Sequence, residues 1–226
     1  MKFEYTETFN WEGALRGMRN PKESWNKSDS TMFMENENGT WYVKPKIGEN
    51  DMKLAQSLIR AGSEHRKFMR QIFVCVDITA PLYWWKEFDT YKVGTVANST
   101  STMHKLASTP ITLERFETDD MEHVSLTGYT TPSIEGAWVD LIETLEKLRL
   151  RYLETKDKRY WKELIRLLPD SWLQKRTITM NYENLLAMCS KGQRRNHKLT
   201  EWSKSFIEWA RTLPYAQELI FIDEVN

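Results

Sequence analysis

Apolar residues in this chain alternate in some stretches, recur every three to four residues in others, and elsewhere run together. Each pattern selects a different element. The opening MKFEYTETFN alternates and predicts a strand, and Trp11–Arg19 predicts a short helix followed by a loop at NPKESWNKSDS. In MFMENENGTWYVKPKIGEND the pair Asn38-Gly39 stands between apolar pieces, the strongest short-range hairpin signal. From Asp51 the period lengthens. Leu54, Leu58 and Ile59 share a helical face, Asp51 is a plausible N-cap, and Gly62 marks a break or bend. IFVCVDIT is a continuous β-branched run and predicts a central strand buried on both faces. Ala80-Pro81 ends it, and residues 82–89 read as a helix with proline at or near its first turn.

The stretch 107–133 is loop-rich and acidic. A long helix follows over residues 133–154, its apolar positions Ile134, Trp138, Leu141, Leu145, Leu148 and Tyr152 keeping a 3.6-residue period. Residues 160–168 predict another helix stopped by Pro169, and QKRTITMN alternates as a strand would. Asn181 is placed to cap a helix running through Cys189, and after KGQRRNH, Thr200 is placed to cap a last helix to about Leu213. The pattern as a whole is that of a single α+β domain in which helices dominate.

Composition narrows the chemistry. A chain of 226 residues buries a sizeable core without disulfides. Its 32 basic and 32 acidic residues cancel, which leaves no footprint for non-specific binding to nucleic acid or a membrane surface. Cys75 in its apolar run and Cys189 in its helical pattern read as buried free thiols and suit a reducing compartment. The N-terminus lacks the apolar region of a signal peptide, and no run approaches the ~20 apolar residues of a membrane span. A soluble cytoplasmic protein is expected.

His65, His104, His123 and His197 are dispersed and neither cysteine belongs to a Cys-x-x-Cys pair, so no metal signature is present. The glycines are scattered singly, without a phosphate-loop pattern, and no nucleophile elbow occurs. Any phosphate bound here is therefore held by side chains. Two segments offer them. Lys92 precedes the hydroxyl-rich run Asn98-Ser99-Thr100-Ser101-Thr102, which is otherwise a solvated turn with a Ser or Thr N-cap. KGQRRNH carries Arg194, Arg195 and His197, otherwise a positive cluster at a helix C-terminus. Glu163 and Arg166 share a helical face, usually as a surface ion pair. The tandem Trp84-Trp85 is a core or interface pair, or else a stacking platform.

The order of these pieces resembles the flavin-dependent thymidylate synthase family. There an apolar strand ends in Ala-Pro and leads to an Arg-His-Arg, Ser, Asn-Glu, Ser motif. Downstream, a Leu-Pro precedes a strand ending in Asn, a helix, and an Arg soon followed by a His. Laid over it from Ala80-Pro81, the Arg-His-Arg falls on Thr90-Tyr91-Lys92, the Asn-Glu on Ala97-Asn98 and the later Ser on Thr100. LLPDSWLQKRTITMNYENLLAMCSKGQRRNH supplies the downstream part, and ALRGMR looks like the family's first basic helix turn. The likeness covers most of residues 10–110 and 160–210. Only Lys92 of the first triplet keeps a cation, and the family's flavin-facing His falls on Gln71.

The resemblance implies a single domain over residues 1–226, with a central antiparallel or mixed sheet flanked by long helices. It implies methylation of dUMP with methylenetetrahydrofolate, NADPH and reduced FAD, in a homotetramer that shares its sites between subunits. Lys92, Thr100, Glu163, Arg166, Arg194 and Arg195 would contact the pyrimidine nucleotide. Gln71, Tyr91, Asn98, Lys175 and Asn181 would line the flavin. The alternative is a repurposed homologue, a pyrimidine-nucleotide-binding or interaction protein on the same scaffold.

Overall fold

A computed structural model describes residues 1–37, 39–119 and 134–224. Asn38 of the expected hairpin turn, His123, Ser133 and the rest of the acidic stretch from 120 lie outside the described residues. The elements in chain order are β1 (Lys2–Phe9), α1 (Trp11–Arg19), β2 (Thr31–Glu37), β3 (Thr40–Lys46), α2 (Glu49–Arg60), β4 (Phe73–Pro81), α3 (Leu82–Phe88), β5 (Val96–Ser99) and α4 (Thr102–Lys105). Then come α5 (Ile134–Thr155), α6 (Lys158–Leu167), β6 (Leu173–Asn181), α7 (Tyr182–Met188) and α8 (Lys191–Asn196). A π-helical turn (Glu201–Phe206) runs into α9 (Ile207–Arg211), and α10 (Ala216–Leu219) closes the series. The class is α+β. Four strands form one sheet in the order β1-β4-β6-β5, and β2 and β3 form an antiparallel hairpin pairing Thr31 with Lys46 and Glu37 with Thr40.

The chain divides into two compact units. The first comprises residues 1–78, 88–98 and 177–226, the second 79–87 and 99–176. In the first, α1 buries Trp11, Ala14, Leu15 and Met18, the i, i+3, i+4, i+7 stripe its sequence spells out. Trp11 meets Tyr182 edge-on at 5.1 Å. Val74, Val76 and Ile78 of β4 are fully buried, but Phe73, Cys75 and Asp77 between them are only half-buried. Burial on both faces, and of both cysteines, was the expectation; Cys189 is buried and Cys75 is not. The reason is Asp77, which shares Cys75's face and accepts a 2.6 Å hydrogen bond from the Thr177 hydroxyl. A carboxylate on that face keeps it partly wet.

The start of α2 also departs from expectation. The helix opens at Glu49 after Gly48, and Asp29 caps it, its carboxylate accepting from the amides of Asn50 (2.8 Å) and Asp51 (3.1 Å). Asp51 is instead buried in the first turn and paired with Arg19 at 2.5 Å. It also accepts from the hydroxyls of Ser28 (2.7 Å) and Ser30 (2.6 Å) and from the amides of Asp29 and Ser30. Gly62, at φ 104°, follows the end of the helix rather than bending it.

In the second unit the periodic face of α5 packs on α6. Leu145 and Leu164 are buried with Leu106, Ile111, Phe116 and Trp172, and Trp138, Leu141 and Leu148 lie against them. Asp157 caps α6, accepting from the Arg159 amide at 2.9 Å, so the helix begins two residues before Tyr160. Trp84 and Trp85 are both fully buried, packed edge to face at 4.9 Å. The Trp85 indole donates to the Gln174 carbonyl at 2.9 Å, and Arg176 lies 4.3 Å over its ring. The tandem is core. Among the described residues no helix is long and apolar enough to cross a membrane.

Candidate functional site

Asn181 ends β6 and opens α7. Its side-chain oxygen accepts from the Asn184 amide at 3.0 Å, and the Asn184 side-chain oxygen accepts from the Asn181 amide at 3.1 Å, a reciprocal cap. The Asn184 side-chain nitrogen then donates to the Val93 carbonyl at 2.9 Å. The turn it grips is closed by Thr95, whose amide and hydroxyl both donate to the Lys92 carbonyl, at 3.0 and 2.9 Å. Gly94 takes φ 79°, and a Cβ there would stand 3.4 Å from the Asn181 side-chain nitrogen, an ordinary contact. Gly94→Ala should therefore cost about 1 kcal/mol from left-handed backbone strain alone, read as a lower denaturant midpoint. Gly94→Asn should recover part of it.

One residue earlier, the Tyr91 hydroxyl accepts from the Gln193 side chain, and its ring lies 5.3 Å from that of Trp202. Trp202, fully buried in the π-helical turn, stacks on His197 at 5.0 Å and donates from its indole to the Met188 carbonyl at 3.0 Å. His197 accepts from the Leu199 amide on Nδ1 at 3.1 Å. KGQRRN is itself the short helix α8, and the Thr200 side chain caps nothing. Tyr91 is thus built into the protein, while Lys92 and Asn98 are exposed.

The two arginines of α8 part company. Arg194 donates to the carbonyl of Cys189, just past the end of α7, and pairs with Asp223 at 2.7 Å and Glu224 at 3.0 Å. Its charge is neutralised within the chain. Arg195 faces solvent. Burial pushes the Cys189 thiol well up, so it is not a nucleophile.

Gln71 sits at the end of a short turn (Lys67–Gln71) that two ion pairs tie to α7: Glu183 pairs with Arg66 at 3.0 Å and with Arg70. Burial raises the Glu183 carboxyl, but hydrogen bonds from Arg70 and Arg66 outweigh that and hold it below the usual range. The Gln71 side-chain oxygen lies 2.7 Å from where a Cβ on Gly17 would stand, so a larger residue there would displace the flexible Gln71 amide. Both border a cavity of about 360 Å³ whose polar lining includes Lys22, His65 and Lys67. His65 and Lys67 stand two residues apart at the start of that turn, and Lys22 joins them from more than 40 positions earlier, a meeting that no local pattern flags.

In the second unit, the Thr100 amide donates to the Lys175 carbonyl and the Gln174 side chain donates to the Thr100 carbonyl, both at 2.9 Å. The hydroxyl run includes an N-cap, Ser101 Oγ accepting from the His104 amide at 3.1 Å. Glu163 and Arg166 form a half-exposed ion pair on α6. Among the described residues no three His, Cys, Asp or Glu side chains gather to hold a metal.

A flavin dinucleotide needs cations or amides for its pyrophosphate and directed donors for its ring edge. Of the five positions that the resemblance assigns to it, the side chains of Tyr91 and Asn181 are engaged within the chain and Gln71 and Asn98 are neutral. Lys175 is the sole cation of the five. This donor set does not fit a flavin site of the implied kind, and no chemical step is derived through flavin.

No family model matches the sequence, and no curated protein matches it. Solved structures do. The flavin-dependent thymidylate synthase ThyX from Helicobacter pylori complexed with FAD and dUMP superposes with a TM-score of 0.64 over 100% of both chains, at 15% identity. A second structure of that enzyme with FAD and dUMP gives 0.63 over 99% of this chain and 98% of its own, also at 15% identity. The UMP/dUMP methylase PolB from Streptomyces cacaoi, bound with 5-Br UMP, gives 0.58 over 98% and 94%, at 14% identity. The chain has the ThyX-type α+β fold.

Proposed function

We propose that this chain binds a uridine 5′-monophosphate, dUMP or UMP, on its ThyX-type scaffold. One observation carries the reading. Two differently named enzymes share the fold over nearly the whole chain, and a uridylate or its 5-bromo analogue is what all three solved complexes hold. In the first unit Lys92 and Arg195 are exposed cations for its phosphate, and the half-buried Arg194, paired with Asp223, anchors α8 and so orients Arg195. An arginine fork fits a phosphate with two parallel hydrogen bonds; Lys92 offers a point charge.

The finer reading is methylation of dUMP with methylenetetrahydrofolate, NADPH and reduced FAD, supported by the two synthase neighbours. The second reading, a repurposed nucleotide-binding homologue, is favoured by Tyr91, whose hydroxyl and ring are both engaged inside the protein.

Both readings need the nucleotide, so a thermal-shift panel of dUMP, UMP, dCMP and dTMP is the deciding experiment. The uridylates should stabilise the fold by about 2.7 kcal/mol at a hundredfold excess over Kd. Arg195→Ala should abolish that shift and leave the ligand-free Tm nearly unchanged, since an exposed arginine contributes little to folding. A panel that stays flat in millimolar ligand removes the proposal.

A further inference from the structure

Lys92 opens a four-residue turn, closed by the Thr95 amide and hydroxyl on its carbonyl, and its side chain is exposed. A lysine is a point charge on a flexible stem, and ordering a loop beneath it at the moment of binding costs affinity. Here the backbone on both sides of Lys92 is already held. Before it, the Tyr91 hydroxyl accepts from the Gln193 side chain of α8, and the Tyr91 ring lies 5.3 Å from that of Trp202. After it, the Val93 carbonyl, on the central peptide of the turn, accepts from the Asn184 side-chain nitrogen at 2.9 Å. Gln193 stands two residues before Arg195 in the same helix. The Tyr91 bond therefore ties the segment of one exposed cation to the helix that carries the other. Asn184 uses both arms of its carboxamide: the oxygen accepts from the Asn181 amide at 3.1 Å while the nitrogen grips the turn. Turned over, the amide would set oxygen against oxygen and N–H against N–H, so these two partners fix its orientation.

We infer that Tyr91 and Asn184 are positioning residues that hold Lys92 in a fixed place relative to Arg195, so that the two cations meet one phosphate as a preformed clamp. The inference rests on the uridylate reading, which gives that phosphate to Lys92 and Arg195, and adds to it the residues that set the clamp. Arg194 on α8 is neutralised by Asp223 and Glu224, which leaves two exposed cations. Two is the number that suits a phosphate monoester, which carries about two negative charges near neutral pH. Like charges brought together repel, and the two anchors supply the fixed geometry that a dianion then rewards. Gly94 belongs to the same device, because the turn that presents the Val93 carbonyl to Asn184 takes φ 79° at its second central residue, where glycine is at ease. In this chain position 91 thus serves the site through Lys92, and its side chain has no part in touching the ligand.

Isothermal titration of dUMP into the full chain tests these roles with Asn184→Asp, Tyr91→Phe and Lys92→Ala, and with each of the first two combined with Lys92→Ala. Asn184→Asp keeps the acceptor for the Asn181 amide, and so the cap of α7, and removes the donor to Val93. Tyr91→Phe keeps the ring beside Trp202 and removes the acceptor for Gln193. Lys92→Ala is expected to weaken dUMP binding about tenfold, the typical worth of one charge-assisted hydrogen bond. Each anchor substitution should weaken it several-fold, short of Lys92→Ala, and should add nothing in the Lys92→Ala background, because a positioning residue acts through the residue it places. A role in folding alone would weaken binding equally in both backgrounds. Tyr91→Phe adds no charge, so a loss that it shares with Asn184→Asp does not come from a new carboxylate drawing Lys92 away, and it keeps the test decisive if Asn184→Asp folds poorly. A wild type that takes up no dUMP removes the uridylate reading and this role with it. A wild type that binds while Tyr91→Phe binds as tightly, or anchor losses undiminished in the Lys92→Ala background, overturns the inference and leaves that reading standing.

Discussion

Replacing Asp51 with alanine is expected to destabilise the fold by about 3–5 kcal/mol, the typical cost of stranding a buried charge. Asp51 is fully buried and its partner Arg19 is nearly so, with a side chain 4% exposed. Without the carboxylate the guanidinium keeps only the Ser24 carbonyl, 3.2 Å from its Nη1. The hydroxyls of Ser28 and Ser30 and the Ser30 amide lose their acceptor as well. Denaturant unfolding of Asp51→Ala, Asp51→Asn and the Arg19→Met, Asp51→Leu double variant separates the causes. If the penalty is the stranded charge, the double variant recovers much of it. The pH dependence has a definite sign. Burial raises the Asp51 carboxyl, but hydrogen bonds from Ser30, Ser28 and Arg19 outweigh that and hold it below its ordinary 3.8. Its contribution is therefore present above that value and lost as pH falls through the lowered one. Wild type should lose stability on acidification below about pH 4 more steeply than Asp51→Asn.

Purified protein is expected to carry little or no flavin, judged by its visible spectrum and by titration with FAD. Gln71 and Tyr91 stand where the resembled family has charged or imidazole contacts, and a lost charge-assisted hydrogen bond typically costs ~1.5–3 kcal/mol. Two such losses weaken affinity by roughly two to four orders of magnitude. The fold sharpens the expectation, since the Tyr91 hydroxyl oxygen accepts from Gln193 and its ring packs against Trp202, which fixes the side chain within the protein. A stoichiometric, tightly held flavin would show that other groups compensate. Lys22, His65 and Lys67 around the Gln71 cavity are the first to mutate in that event, and the methylation reading would then displace the repurposed one.

Local pattern was enough wherever an element's partners are near in sequence. The helical stripe of α1, the period of α5 and the Asn181 cap of α7 all depend on residues within a few positions of one another, and each stands where periodicity and capping chemistry put it. The alternation of β4 was visible too, but IFVCVDIT was read as a run, and the weight of Asp77 on one face emerged only with its partner Thr177, 100 residues away.

The candidate site was legible as residue types and not as contacts. Arg194 and Arg195 are adjacent and chemically identical in the sequence. Two carboxylates about 30 residues downstream draw one inward and leave the other exposed. Tyr91 finds Gln193 102 positions on, and Asp51 finds Arg19 32 positions back. By itself the sequence determined the α+β class, most of the elements and the likeness to a nucleotide-handling scaffold, because period and cap chemistry act over one or two turns. Only the tertiary structure decided which charges are neutralised and which are offered to solvent. Those outcomes follow from pairings between distant segments, whose electrostatic and desolvation energies no local pattern encodes.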